Sequence, residues 1–265
     1  MPTNVPTADV IVQGGEERRL GCLSPVLLGK TFAPFPRWAA SKPVFTLDYL
    51  RNHPVRRRGL FDRSWIKNQS RYGSCNGWAI AQALAKTRVL RGQPRVDLSG
   101  SSIYAQINGN RDNGSTLDDG MDAVQRGRGI LPESLSRPDQ IYLSQYQSAV
   151  WAEAARFKAA DGECYTLDSD LEVASAIASD YGVVVAVHVD SRFDQTGVGG
   201  VSHGGAGVGN HSVNLDGFEW DDQLGALKYD LPNSWGTAWG DGGRIFVTYA
   251  RHLKPTRQYH QHFAI

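Results

Sequence analysis

One stretch limits the possible folds more than any other: C-N-G-W-A-I-A-Q-A-L-A-K-T-R-V-L, beginning at Cys75. Strong helix formers dominate it, and no Gly or Pro interrupts it between Trp78 and Gly92. Trp78, Ile80, Ala81, Leu84, Ala85 and Val89 spread over a wide arc of that helix. A helix apolar around most of its circumference has to be enclosed by other elements. The chain has 265 residues, enough for one large domain or for two lobes around a shared cleft.

The remaining pattern changes character along the chain. Further helices are expected over 99–107, over 115–125 up to the Gly127/Gly129 pair, over 147–160, and over 170–180. The apolar run at 183–189 reads as a buried strand. After a glycine-rich loop at 197–209, strands are expected over 212–218, 226–231 and 244–249. A helical half followed by a β-rich half gives an α+β chain, with two lobes and a cleft between them. Residues 1–43 read as an extension, broken by prolines and by Gly14-Gly15. Phe32, Phe35 and Trp38 suit that arm for packing on the body of the chain or on a partner. The body is then 44–265, with a helical lobe near 60–150 and a β-rich lobe near 151–265.

Composition narrows the classes. A net charge of +1 sets up no field that would recruit nucleic acid or an anionic membrane. Arg51, Arg56, Arg57 and Arg58 form a run too short to change that, and read as a solvated face. The first twenty residues show no signal-peptide pattern, and no apolar run is long enough to span a bilayer. Cys22, Cys75 and Cys164 are widely spaced, which argues against a disulfide framework and a zinc site. Neither a metal nor a cofactor is expected. G-G-A-G-V-G at 204–209 leads into a strand, the wrong context for a phosphate loop. His188 reads as structural, and His203, in the glycine loop near His211, is not expected to reach the cleft. His53, His252, His260 and His262 read as surface residues.

Cys75 follows Gly73-Ser74 at the start of the enclosed helix, where the aligned peptide dipoles favour a thiolate. His211, at the start of a strand, can serve as its base, and the side-chain oxygen of Asn233 can fix the imidazole tautomer. Gln69 and the backbone N–H of Cys75 can donate to a developing oxyanion.

Three segments carry a resemblance. K-N-Q-S-R-Y-G-S-C-N-G-W-A at 67–79 resembles the stretch around the nucleophile of papain-like cysteine peptidases. G-N-H-S-V-N-L-D-G-F at 209–218 resembles that family's His segment, and N-S-W-G-T-A-W-G-D-G-G-R-I-F-V at 233–247 its Asn segment. The order Gln, Cys, His, Asn is kept. The resemblance covers roughly 60–250 and implies a papain-like two-lobed fold, with a helical left lobe and a β-barrel-like right lobe. It implies a thiol peptidase acting on protein or peptide substrates, with Cys75 as nucleophile, His211 as base, Asn233 as orienting residue and Gln69 in the oxyanion hole. It further implies that Gly114, Ser115, Asn210 and Trp235 meet the substrate, Trp235 also shielding the His211–Asn233 bond.

The chain departs from the family pattern in places. Tyr72 stands where secreted members carry a disulfide cysteine, and R-D-N-G-S-T lacks its partner. Asn76 replaces the usual Trp after the nucleophile, and no long helical propeptide is recognisable. These features fit a non-secreted member, in the cytoplasm or within a viral particle. Two alternatives stay open: an idle papain-like module serving as a structural or virion component, and a triad hydrolase acting on peptidoglycan amides. The arm at 1–43 covers the cleft or docks a partner in either case.

Overall fold

The computed structural model describes residues 9–13, 16–24, 34–204, 209–254 and 262–265. The expected central helix is present as Cys75–Leu90, and every residue from Cys75 to Thr87 is buried. Before it come the strands β1 (Asp9–Gln13) and β2 (Glu16–Leu20), paired antiparallel from Asp9↔Leu20 to Gln13↔Glu16. Two short helices follow, α1 (Trp38–Ser41) and α2 (Leu47–Asn52). Thr46 caps α2 by accepting the N–H of Tyr49. The central helix is therefore α3.

On one side of α3 lie α4 (Gly100–Ile107) and α5 (Leu117–Gln125), each started by a hydroxyl cap. Ser99 accepts from the Ser102 N–H, and Thr116 exchanges bonds with Asp119 in a capping box. The α3–α4 crossing is close enough to require glycine: a Cβ on Gly77 would sit 2.1 Å from the Gly100 carbonyl oxygen. Ile80, Leu84, Leu98, Ile103, Leu117, Met121 and Val124 fill the space between these helices.

On the other side the chain forms α6 (Trp151–Ala154), β3 (Tyr165–Thr166), α7 (Asp170–Ala178), β4 (Val183–Val187), β5 (His211–Leu215), β6 (Gly217–Asp221), β7 (Ala226–Pro232), β8 (Arg244–Thr248) and β9 (His262–Ala264). They build a four-stranded sheet in the order β3-β9-β4-β5 and a three-stranded sheet in the order β6-β7-β8. Strand β4 is buried on both faces. Val183, Val185 and Val187 pack with the β-rich core, while Val184 and Ala186 pack with the α3 core. This strand is the wall shared by the two halves, which explains its unbroken apolar sequence. The architecture is α+β as expected, and its barrel-like half is two open sheets.

Several elements differ from the sequence pattern. The helix expected over 147–160 shrinks to α6 and the 3-10 turn Ser148–Val150. Beyond Ala154 tertiary partners capture the backbone: the Ala159 N–H donates to Val124 O, and the Ile130 N–H donates to Phe157 O. The strand expected over 212–218 breaks at Asp216. There the chain changes sheets, and the carboxylate takes Lys86 at 2.6 Å and Arg244 at 2.9 Å. The arginine run is no free basic face. Arg57 is buried against Asp180, Arg56 meets Glu219, and Arg58 meets Asp230 and Asp241. His262 is buried because β9 threads the middle of its sheet, and His252 is buried in the turn after β8, where its ring accepts the Thr248 N–H. His260, Phe32, Gly14-Gly15 and the loop at 205–208 lie outside the described residues. Trp38 is fully enclosed, edge-on to Tyr165 and Tyr181. No helix among the described residues is long and apolar enough to cross a membrane.

Candidate active site

The two halves of the molecule bring Cys75, His211, Asn233 and Gln69 to the seam between them. Cys75 opens α3, and its sulfur lies against the backbone N–H of Ser212, the residue after His211. His211 starts β5 opposite Val187. Its Nε2 lies 2.8 Å from Asn233 Oδ1. The Ser234 N–H also donates to that Oδ1 at 2.8 Å. A backbone N–H can only donate, so the shared atom is oxygen and His211 Nε2 must carry the proton. His211 Nδ1 then holds a lone pair, and it makes no hydrogen bond. Trp235 lies over the imidazole, with ring centroids 4.7 Å apart, and closes this pair from water.

Gln69 is fully buried in the loop before α3. Its N–H donates to Ser234 O at 2.8 Å, and its Oε1 accepts from Ser234 Oγ at 2.6 Å. The amide is thereby fixed, and its Nε2 donates to Tyr72 O at 2.8 Å within the same loop. Ser234 is a positioning residue missed in the sequence, although it adjoins Asn233. Tyr104 and Asp112 were missed as well. The Tyr104 hydroxyl donates to Asp112 Oδ1 and accepts from the Gly114 N–H, both at 2.9 Å, while Asp112 Oδ1 also accepts from the Gly73 N–H at 2.9 Å. One buried phenol thus ties the loop before Cys75 to the loop carrying Gly114 and Ser115. Asn76, where the family has Trp, donates to the Ser115 carbonyl at 2.7 Å and reinforces the same wall. Among the described residues no group of three or more His, Cys, Asp or Glu could hold a metal ion.

A family model described as papain family cysteine protease matches residues 56–260. The chain belongs to this family. Human cathepsin O is 26% identical over 189 residues, which is 69% of this chain and 56% of that protein. Cysteine protease 1 of Oryza sativa subsp. japonica is 29% identical over 189 residues, 68% of this chain and 37% of that protein. The chain thus spans about half or less of the length of these relatives. The proform of the ragweed pollen cysteine protease Amb a 11 aligns with a TM-score of 0.63 at 20% identity, covering 86% of this chain and 72% of that one. At that identity the likeness speaks for the fold alone.

In this papain-family chain the cleft is occupied by the chain itself. Beyond β2, residues 21–23 run parallel to Ser115. The Ser115 N–H donates to Gly21 O and the Leu23 N–H to Ser115 O, each at 2.8 Å, while the Cys22 N–H donates to Asn210 O at 3.1 Å. The Gly21 N–H faces the Cys75 sulfur. Gln69 Nε2 donates to Arg19 O at 3.3 Å, and the Arg18 guanidinium reaches the carbonyl of Trp235. A Cβ on Gly114 would stand 2.6 Å from Gly21 O. The four positions expected to meet substrate, Gly114, Ser115, Asn210 and Trp235, therefore all touch the arm.

Burial reverses the ionisation expected at the helix start. Burial pushes the Cys75 thiol up to about 11, against the N–H groups of Ser212, Gly21, Asn76 and Cys75, which favour the thiolate. Burial likewise pushes His211 down to about 4, with the Asn233 bond opposing it in part. Both shifts favour the uncharged forms, a thiol on Cys75 and a neutral imidazole on His211. Cys22, Cys75 and Cys164 are all free and buried. His203 is exposed and packs on Gly197, and His188 lies just past β4.

Proposed function

We propose that this papain-family chain is a cysteine peptidase that cleaves peptide bonds through an acyl-enzyme on Cys75, and that it is latent while residues 16–24 fill its cleft. The observation that carries the reading is the oriented imidazole. His211 Nε2 is committed to Asn233 Oδ1 at 2.8 Å under Trp235, and Nδ1 is left without a hydrogen bond in the same seam as the thiol.

The proposed chemistry follows from these positions. With the arm withdrawn, water returns and the thiol proton passes to His211 Nδ1. The thiolate adds to the substrate carbonyl carbon, forming the S–C bond while the C=O π electrons move to oxygen. Gln69 Nε2 and the Cys75 N–H donate to that oxyanion. The tetrahedral adduct collapses, the C–N bond breaks, and the imidazolium gives its proton to the leaving amine. Water, deprotonated by the neutral imidazole, then splits the thioester. Latency has two supports: the arm occupies the substrate path, and it removes the water that would stabilise the ion pair.

The test uses a chain whose arm is displaced by substitution, incubated with fluorogenic peptides and with a thiol-directed epoxide. Turnover and epoxide labelling at Cys75 are expected, and Cys75→Ala or His211→Ala should abolish turnover. Undiminished turnover in Cys75→Ala would end this reading.

A further inference from the structure

Arg18 sits in a pocket whose acceptors come mostly from the body of the molecule. Its side chain is 6% exposed. Nη1 donates to Asn68 Oδ1 at 2.9 Å and to Ser70 O at 3.1 Å, and Nη2 points at Trp235 O at 3.5 Å and pairs with Glu16 of the arm. Ser70 has a φ of 58°, a conformation uncommon for a side-chain-bearing residue. Asn68 is held opposite Trp235 by a β-bridge. Asp194 lines the same cleft of about 510 Å³, together with Asn68, Trp235, Gly236 and Thr237. A planar fork of N–H donors fits such a divergent set of oxygens, and a compact ammonium can meet fewer of them at once.

We infer that Asn68, Ser70 and Trp235 form a guanidinium subsite, which an arginine side chain of the substrate enters once the arm has left. The inference rests on the peptidase reading for which side of the scissile bond this is. His211 hands its proton to the leaving amine, so residues following the cleaved bond lie beside the imidazole and its cover Trp235. The arm then holds the cleft shut with the kind of side chain that the subsite accepts from substrate.

Two measurements test this, and the first needs no catalysis. Methylguanidinium is titrated into full-length Arg18→Ala while the Trp235 indole N–H signal is followed by NMR. Saturable shifts in the millimolar range are expected, with at least tenfold weaker binding of methylammonium, and loss of the response in Arg18→Ala/Asn68→Leu. Absent shifts, equal binding of the two cations, or an unchanged response without Asn68 would overturn the inference. Arg18→Lys, which keeps the charge and loses the fork, should alkylate at Cys75 faster than the wild-type chain; an equal rate counts against the site. The second measurement compares peptides carrying arginine or norleucine after the scissile bond, using a chain with its arm displaced by Gly21→Ala. A kcat/KM ratio of ten or more is expected at one of the first three positions. Turnover without that preference refutes the subsite and leaves the peptidase reading standing. Guanidinium binding without any turnover does the reverse.

Discussion

Gly21 is where a single methyl group should unlock the cleft. A Cβ there would stand 1.9 Å from the Gly73 carbonyl oxygen, 2.4 Å from its carbon and 2.7 Å from its Cα. These are backbone atoms, so no side-chain rotation can relieve the overlap. Nor can Gly73 retreat freely, since its N–H is tied to Asp112 and the next residue's carbonyl accepts the Trp78 N–H in the first turn of α3. The arm must yield in Gly21→Ala. Overpacking of this kind costs about 3 kcal/mol, which is about a hundredfold in the fraction of molecules with the arm undocked. Opening also restores water to a thiol that burial holds at about 11. At pH 7 such a thiol is almost wholly protonated, so docked chains should react very slowly. The assay is timed alkylation by iodoacetamide with mass spectrometry of the Cys75 peptide. Cys164, buried and pushed up to about 12, serves as the internal control. Cys75 in Gly21→Ala should label at least thirtyfold faster than in the wild-type chain, with Cys164 unchanged. Equal Cys75 rates would refute the claim that the arm holds the thiol neutral.

Three more outcomes follow from the same geometry. In an arm-displaced chain, Gln69→Ala should lower kcat by about a hundredfold or more, the usual loss for one oxyanion donor, with KM little changed; steady-state kinetics on a fluorogenic peptide checks it. Lys86→Met leaves the buried Asp216 with Arg244 as its remaining charged partner, and urea unfolding should show about 3 kcal/mol lost. Stability should also fall in acid. Burial holds His211 and His252 each at about 4, below the 6.5 of a free imidazole, so between pH 6.5 and pH 4 the unfolded chain binds protons that the folded chain refuses. Their contribution is complete above pH 6.5 and is lost progressively towards pH 4. His252→Gln should flatten the urea midpoint across that window, and an unaltered slope would contradict the assignment.

The parts of this molecule that were legible in its sequence are those set by local chemistry. The breaker-free apolar run from Cys75 specified an enclosed helix, because no orientation of that helix hides its apolar arc on a surface. The helices expected from 99 and 115 start at Gly100 and Leu117, one and two residues later, where the Ser99 and Thr116 hydroxyls satisfy orphan N–H groups. Motif spacing brought Gln69, Cys75, His211 and Asn233 together on paper, and the fold sets them on one seam. Illegible were the features made by contacts between distant segments: the strand break at Asp216, where Lys86 and Arg244 arrive from elsewhere, and the shortened α6, beyond which Phe157 and Ala159 bond Ile130 and Val124.

The arm shows the division most clearly. Its glycines and prolines announced irregular chain, whereas β1 and β2 pair as a hairpin within it, and nothing local to Arg18 or Gly21 names Asn68, Gly73 or Ser115 as neighbours. The same holds for ionisation. The sequence placed Cys75 at a helix start, which favours the thiolate, but the tertiary structure covers it, and burial outweighs the dipole because desolvating a charge costs more than a few peptide N–H groups return. By itself the sequence determined which groups are present and in what order. Tertiary structure alone decided which of them see water.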